Sequence, residues 1–493
     1  MPAVALPLAA AAVPIAGPLV AALIAAVPAA VRYVGAPATN RAGVGVGLVG
    51  AATRWVPSVA LFVATAACAR IPDDATLAIA GTTLAVGPIA RANAVLACGT
   101  AALVALYGVF STRGAALGIA SAVIAASVVV AAFAGDVARV GAAGIHVAMM
   151  VAAISMTLGE RGGSAASAPG WRAAAAYLTL GSLGLVTIVA GLSLADVLRV
   201  SPGGLVTESF VIAVLAAGFA LAIGLPPLHF WVPVVAWRPS AGSAALALGV
   251  VVPAAVGYLM QVLAGVPQLG GATLTARLLT VGGMVACAVG AIGAVSPGRL
   301  GRRVGYAAIA GIGPVLLGLG TGTRIGVAGA MVALAHHAVC TITLIASAPA
   351  VEHHRFRDVA SSTAEPHTPR TTVGRSSPWP RVAFMLAAVA ASGIPPLGGF
   401  ASRWAIMQAL SLADWRLGMA VGVTSLVTLA ALLSGVARTH EVARTQEVAE
   451  RVGDGGRLLV VYAVATCVWG VAPQWVIEHA WRATVQMGFL RPF

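Results

Sequence analysis

Runs of about 20 apolar residues, each closed by a short polar or Gly/Pro-bearing break, recur from one end of this chain to the other. A bilayer core is filled by about 20 helical residues. In lipid every backbone polar group must be satisfied within its own segment, so each run reads as a helix. The pattern predicts fourteen spans: 4–30, 42–68, 93–110, 115–134, 138–158, 171–191, 207–228, 243–264, 275–295, 303–321, 324–347, 381–410, 415–436 and 458–476. Residues 75–92 are apolar too and leave the start of the third span open, with an interfacial segment as the alternative. One connection is long and polar, 350–381, and reads as a loop. The expected fold class is therefore all-α integral membrane.

Composition narrows the class further. Hydrophobic residues make up 59% of the 493 positions, charged residues 9%, and the mean hydropathy is +0.96. Soluble chains carry roughly 25% charged residues, so this one could not cover a water-facing surface. The net charge of +14 could suggest a nucleic-acid partner, but its placement argues for topology. There is no lysine, and the 29 basic residues are arginines, mostly set in the breaks. With arginines near a span's end counted with the adjoining loop, eighteen belong to odd-numbered loops and ten to even-numbered loops or the C-terminal tail, and Arg54 falls within a span. That bias puts the odd loops in the cytoplasm and both termini on the opposite face of the inner (cytoplasmic) membrane. The first run lacks a charged leader and a clear cleavage site and is expected to be retained as a helix. Five scattered cysteines without a CxxC read as buried apolar residues, not as a disulfide or metal site. No nucleotide loop, metal spacing or catalytic triad is present, so no cofactor is expected on this chain.

A short repeat interrupts the pattern. Gly224-Leu225-Pro226-Pro227-Leu228 in the seventh span returns as Gly393-Ile394-Pro395-Pro396-Leu397 in the twelfth. Proline removes a donor and clashes with the preceding turn, so each pair should break its helix. Such a break at membrane depth is tolerable only against protein or a water-filled cavity. Because five is odd, the two copies run in opposite directions, as in an inverted-repeat transporter. Chance recurrence of a proline-bearing apolar pentapeptide is the competing explanation.

With these residues in view, a family resemblance emerges. Gly224 to Pro233 (GLPPLHFWVP), Pro239 to Ala244, and Gly257-Tyr258 resemble the antiporter-like subunits of respiratory complex I (NADH:quinone oxidoreductase), membrane-bound hydrogenases and Mrp-type cation/proton antiporters. Arg299 to Ala310, Leu334 to Ala338 and Ser392 to Trp404 are similar to three further blocks of that family, in the same order. The resemblance implies about fourteen helices and two inverted five-helix repeats, each with a broken helix. On this basis the chain divides into N-terminal helices (1–134), a first repeat (135–265), a second repeat carrying the polar loop (266–440) and a C-terminal helix with tail (441–493). The resemblance also implies a polar axis of ionisable residues and water that carries protons. The family's lysines are missing: their places fall at Ala222, at Val252 or Pro253, and at Thr341, its fifth-helix glutamate falls near His146, and an aspartate position is Arg299. Arginine stays protonated and cannot stand in for a relay lysine.

Several polar residues remain as proton or ion path candidates. His336 and His337 sit mid-run in the eleventh span, and imidazole titrates near neutral pH. His229 follows the first break, where bonding to freed backbone groups is the alternative role. His146 is a single histidine in the fifth span. Glu208 opens the seventh span and can equally be a boundary residue. Arg403 follows the second break, where it can set the field in a cavity, pair with a partner's carboxylate, or snorkel to an interface. Apart from Ser402 and Arg403, the second break reads as apolar.

These features imply a membrane subunit of a proton- or cation-translocating complex, with a histidine-based path or an inactive, purely structural one. The alternatives are a stand-alone secondary transporter and the membrane subunit of an inorganic-carbon uptake complex. Expected partners are other integral membrane subunits, peripheral redox subunits or a soluble zinc protein, and the lipid bilayer, with no nucleic acid. The chain is not expected to be an enzyme by itself.

Overall fold

A computed structural model describes residues 43–72, 76–79, 82–110, 114–134, 140–158, 170–200, 206–363, 378–438, 455–468 and 473–491. The expected first span, 4–30, lies outside the described residues. The helices are α1 (Gly43–Arg70), α2 (Pro88–Val109), α3 (Gly114–Phe133), α4 (Ala142–Leu158), α5 (Gly170–Val200), α6 (Glu208–Ile223), α7 (Trp231–Trp237) and α8 (Ala241–Gly265). They continue with α9 (Thr273–Val295), α10 (Leu300–Gly320), α11 (Arg324–Thr363), α12 (Trp379–Ser392), α13 (Gly398–Ser411), α14 (Trp415–Arg438), α15 (Gly455–Val468) and α16 (Pro473–Ala483). Among the described residues, eight helices are long and apolar enough to cross a membrane: α2, α3, α5, α8, α9, α10, α11 as far as Glu352, and α14. Shorter apolar helices are α4, α6, α12 and α15. The chain is a helical, multi-span membrane protein.

Three segments differ from the sequence expectation. The apolar stretch before α2 contains an antiparallel ribbon, β1 (Thr76–Ile79) with β2 (Thr82–Ala85), in the register Thr76 opposite Ala85. Its β-branched Thr and Ile favour a strand, and a pair of four-residue strands is too short to span a bilayer. Second, α11 runs on to Thr363, into the segment expected to be a loop. Apolarity marks where a helix leaves the membrane, not where it ends. Third, the last expected span, 458–476, covers the end of α15 and the start of α16, and residues 469–472 between them lie outside the described residues.

Small residues set how closely the helices pack. A Cβ at Gly184 in α5 would lie 2.8 Å from the Gly218 carbonyl of α6, and one at Gly283 in α9 would lie 2.8 Å from the Gly313 carbonyl of α10. Helix α8 is enclosed on all sides, against α2, α4 and α11. It contains a π-helical turn at Ala247–Val251, where the Val252 N–H reaches back five residues to the Ala247 carbonyl. Pro253 follows at once and cannot donate to Gly249, so the loosened turn absorbs the missing bond. Polar side chains tie α8 to its neighbours: Gln261 Nε2 donates to the Ala132 carbonyl at 2.7 Å, and Ser243 Oγ to the Ser155 carbonyl at 2.9 Å.

Candidate functional site

Both Pro-Pro pairs break their helices in the same way. Helix α6 ends at Gly224 (φ 79°) and α12 at Gly393 (φ 72°), each in the left-handed conformation that glycine adopts without a Cβ penalty. A tight turn follows each. Leu228 N donates to Leu225 O at 2.8 Å and Leu397 N to Ile394 O at 2.9 Å. Helices α7 and α13 then resume. The pentapeptide repeat is thus a repeat of conformation as well as of sequence.

The two breaks are finished differently. In a continuous helix Pro395 and Pro396 would donate to the carbonyls of Ala391 and Ser392, and neither has an N–H to give. Arg403, one and a half turns into α13, folds back and donates to both of those carbonyls. It also donates to Ser425 Oγ of α14 at 2.5 Å. The guanidinium therefore neither snorkels nor points outward to a partner. It replaces the two donors that the prolines remove. In the first break Val234 stands at the corresponding distance from the Pro-Pro pair, and it has no donor to offer.

The two histidines lie between the breaks. Successive helical residues project about 100° apart, so His336 and His337 on α11 face different neighbours. A Cβ at Gly399 would sit 2.9 Å from His336 Cε1, which places that ring against the start of α13 and the second break. His336 also touches Cys340 Sγ, at 3.7 Å from Nε2. His337 faces α10, where a Cβ at Gly311 would lie 2.4 Å from Nδ1. Both rings are buried.

Two small cavities flank His337. The smaller, about 10 Å³, is lined by His337 together with Gly224, Leu225 and Val232 of the first break and Val252 of α8. It is close to the lower limit for one water. The larger, about 30 Å³, is lined by Thr341, Ser392, Arg403, Thr424, Ser425 and Thr428 among others. It has room for roughly two waters. Thr341 Oγ1 lies 3.4 Å from His337 Nε2, so one imidazole and one hydroxyl span the wall between the cavities. Thr341 occupies a position where the family resemblance implies a lysine.

The remaining sequence candidates lie apart from this axis. His146 is partly buried in α4, and its Nδ1 has no hydrogen-bond partner among the described residues. His229 packs its ring against Tyr306 of α10, with centroids 6.0 Å apart. Glu208 is exposed in the first turn of α6, after the N-cap Thr207. None of the three lines either cavity.

The structure adds residues that the sequence pattern passed over. The second break is polar, because Thr424, Ser425 and Thr428 of α14 face it along with Thr341. A spacing of three to four residues on one helix face was the available signal. Glu352, expected in the loop, accepts a hydrogen bond from Leu300 N and so caps α10 from 52 residues away. The implied aspartate at the head of that helix is Arg299 here, and the capping carboxylate comes from α11 instead. Arg303 is buried and donates from Nη1 to the Ala431 carbonyl at 3.0 Å.

Residues 172–428 match the family described as "NADH:quinone oxidoreductase/Mrp antiporter, TM". The chain is 29% identical over 216 residues to a Na(+)/H(+) antiporter subunit of Alkalihalophilus pseudofirmus, covering 43% of this chain and 42% of that one. It is 29% identical over 287 residues to NADH-quinone oxidoreductase subunit N of Mycobacteroides abscessus, covering 54% and 51%. These alignments span about half the length of those relatives. In fold it is similar to a chain of the Mrp complex from Dietzia sp. DQ12-45-1b, with a TM-score of 0.74, 17% identity and 97% of both chains covered.

Proposed function

Because the chain belongs to the NADH:quinone oxidoreductase/Mrp antiporter transmembrane family through residues 172–428, we propose that it is a membrane subunit of a multisubunit proton- or cation-moving assembly. It works in the cytoplasmic membrane with both termini on the non-cytoplasmic side. Its neighbours are other integral membrane subunits, joined by peripheral redox subunits or a soluble zinc protein according to the assembly. The repeats at 135–265 and 266–440 supply the two broken helices.

The observation that carries the reading is the link between the breaks. His337 lines the cavity of the first, Thr341 that of the second, and the two side chains lie 3.4 Å apart. An imidazole takes a proton at one ring nitrogen and releases it from the other. The adjacent hydroxyl accepts a hydrogen bond and donates one, so it passes the proton toward the second cavity. Arg403 stays charged and sets the field at the far end. His336 faces the second break as a further exchangeable group.

A second reading, a structural subunit without a conducting path, is favoured by one observation. The implied lysine positions hold Ala222, Val252 or Pro253, and Thr341. Two experiments separate the readings. Mild-detergent purification of the tagged chain should recover stoichiometric membrane partners, and recovery of a lone monodisperse chain would sink the subunit reading. In the reconstituted assembly, His337→Ala should lower coupled proton flux roughly 100-fold, as loss of a proton-transfer group does. Thr341→Val, which keeps the side chain's shape, should lower it too. Flux unchanged in both leaves the structural reading.

A further inference from the structure

The hydrogen bonds that Arg403 makes do not neutralise its charge. Its acceptors are the carbonyls of Ala391 and Ser392 and the Ser425 hydroxyl, none of which carries a formal charge. The C-terminal end of α12 contributes only a partial negative charge, roughly half a unit. A lysine in this place could give up its proton, whereas a guanidinium cannot. A charge taken out of water is stable only when it is paired. Beside the guanidinium lies the larger cavity, and among the described residues lining it there is no aspartate or glutamate. Its polar lining is hydroxyl: Thr341, Ser392, Thr424, Ser425 and Thr428.

We propose that this cavity is a binding site for a small monovalent anion of halide size, held by the Arg403 guanidinium and the hydroxyls of Ser425 and Thr428. The cavity's 30 Å³ suits one such ion and excludes larger organic anions. Ser425 Oγ now donates to the Val421 carbonyl and Thr428 Oγ1 to the Thr424 carbonyl, both at 2.7 Å. Each hydroxyl can turn its hydrogen toward an anion, because the O–H rotates freely about its C–O bond. The backbone carbonyl it leaves keeps its helical N–H partner. The site answers to charge and size and does not depend on whether the chain conducts protons.

The test is equilibrium binding of radiolabelled chloride to the full chain, purified in mild detergent with any partners it retains, in gluconate buffer. The expected result is saturable binding of one ion per chain, displaced by bromide and not by gluconate. Arg403→Gln should abolish it. Ser425→Ala and Thr428→Val keep the arginine and should each weaken the affinity at least threefold. These two variants decide the matter if Arg403→Gln does not fold. Absence of saturable binding, with water or a partner's carboxylate filling the place, would overturn the proposal. So would binding that survives Arg403→Gln, or an affinity unchanged in both hydroxyl variants, either of which marks an ion on the surface only.

Discussion

Gly393→Ala probes the second break through two separable costs. Gly393 has φ 72°, and an alanine held there costs about 1–2 kcal/mol for its left-handed backbone. Its Cβ would also lie 2.4 Å from Arg403 Cδ and 2.8 Å from Nε. Arg403 cannot retreat without loosening its hold on the Ala391 and Ser392 carbonyls, and a buried acceptor left unpaired costs about 1–3 kcal/mol. The sum is about 2–5 kcal/mol. Two controls divide it. Gly322 has φ 62° and open space where a Cβ would go, so Gly322→Ala carries the backbone cost alone. Gly422, inside α14, has no neighbour within 4 Å and no special conformation, so Gly422→Ala should stabilise by about 0.5–1 kcal/mol. Thermal unfolding in detergent, followed with a thiol-reactive fluorophore, reads exposure of the buried Cys68, Cys98, Cys287 and Cys340. The melting temperatures should fall in the order Gly422→Ala, wild type, Gly322→Ala, Gly393→Ala. In an Arg403→Ala background the excess penalty of Gly393→Ala should shrink to that of Gly322→Ala, because the clash is gone. A Gly393→Ala protein that melts with Gly322→Ala would mean that Arg403 is not fixed against the break.

Other consequences follow from the same geometry. Glu352→Ala removes the carboxylate that caps α10 and should destabilise by about 0.5–2 kcal/mol in the same melt, with Glu352→Gln milder because it keeps an acceptor. Gln261→Leu removes the bond from α8 to the Ala132 carbonyl and should cost about 1 kcal/mol, partly offset by the apolar replacement. A reporter fused to the C-terminus should be active only on the non-cytoplasmic side. Cytoplasmic activity would reverse the orientation drawn from arginine placement.

How far the sequence reached depended on whether the signal was local. The Pro-Pro pairs marked both breaks because proline's missing N–H acts within one turn. The long apolar runs marked helices, eight of which among the described residues are long and apolar enough to cross a membrane, and the pair of adjacent histidines stood out in its run. What Arg403 does was not legible, because its partners lie 11 and 12 residues back across a reversal of the chain. From sequence, snorkelling and inward folding look alike. Polarity at the second break was missed because it comes from α14, whose threonines and serine are diluted in an apolar run. Glu352 looked like loop because α11 keeps its helical form past the end of its apolar stretch.

The loss of lysine has a structural consequence that extends beyond the relay. A buried lysine combines two properties: a positive charge and a proton it can release. In this chain the two are held by different residues. The fixed charge is Arg403, anchored to the broken helix by the carbonyls that proline left without partners. The exchangeable proton, on the reading proposed above, belongs to His336 and His337, one turned to each break. Separation makes the charge at the second break permanent, so it no longer varies with the protonation of the path. An uncharged Arg403→Gln and a proton-silent His337→Ala should then fail differently. The first should abolish anion binding, and the second should alter flux while leaving anion binding intact, its buried-ring truncation lowering the melt by a cavity cost of its own. Identical phenotypes for the two variants would show that charge and proton are still carried by one coupled unit.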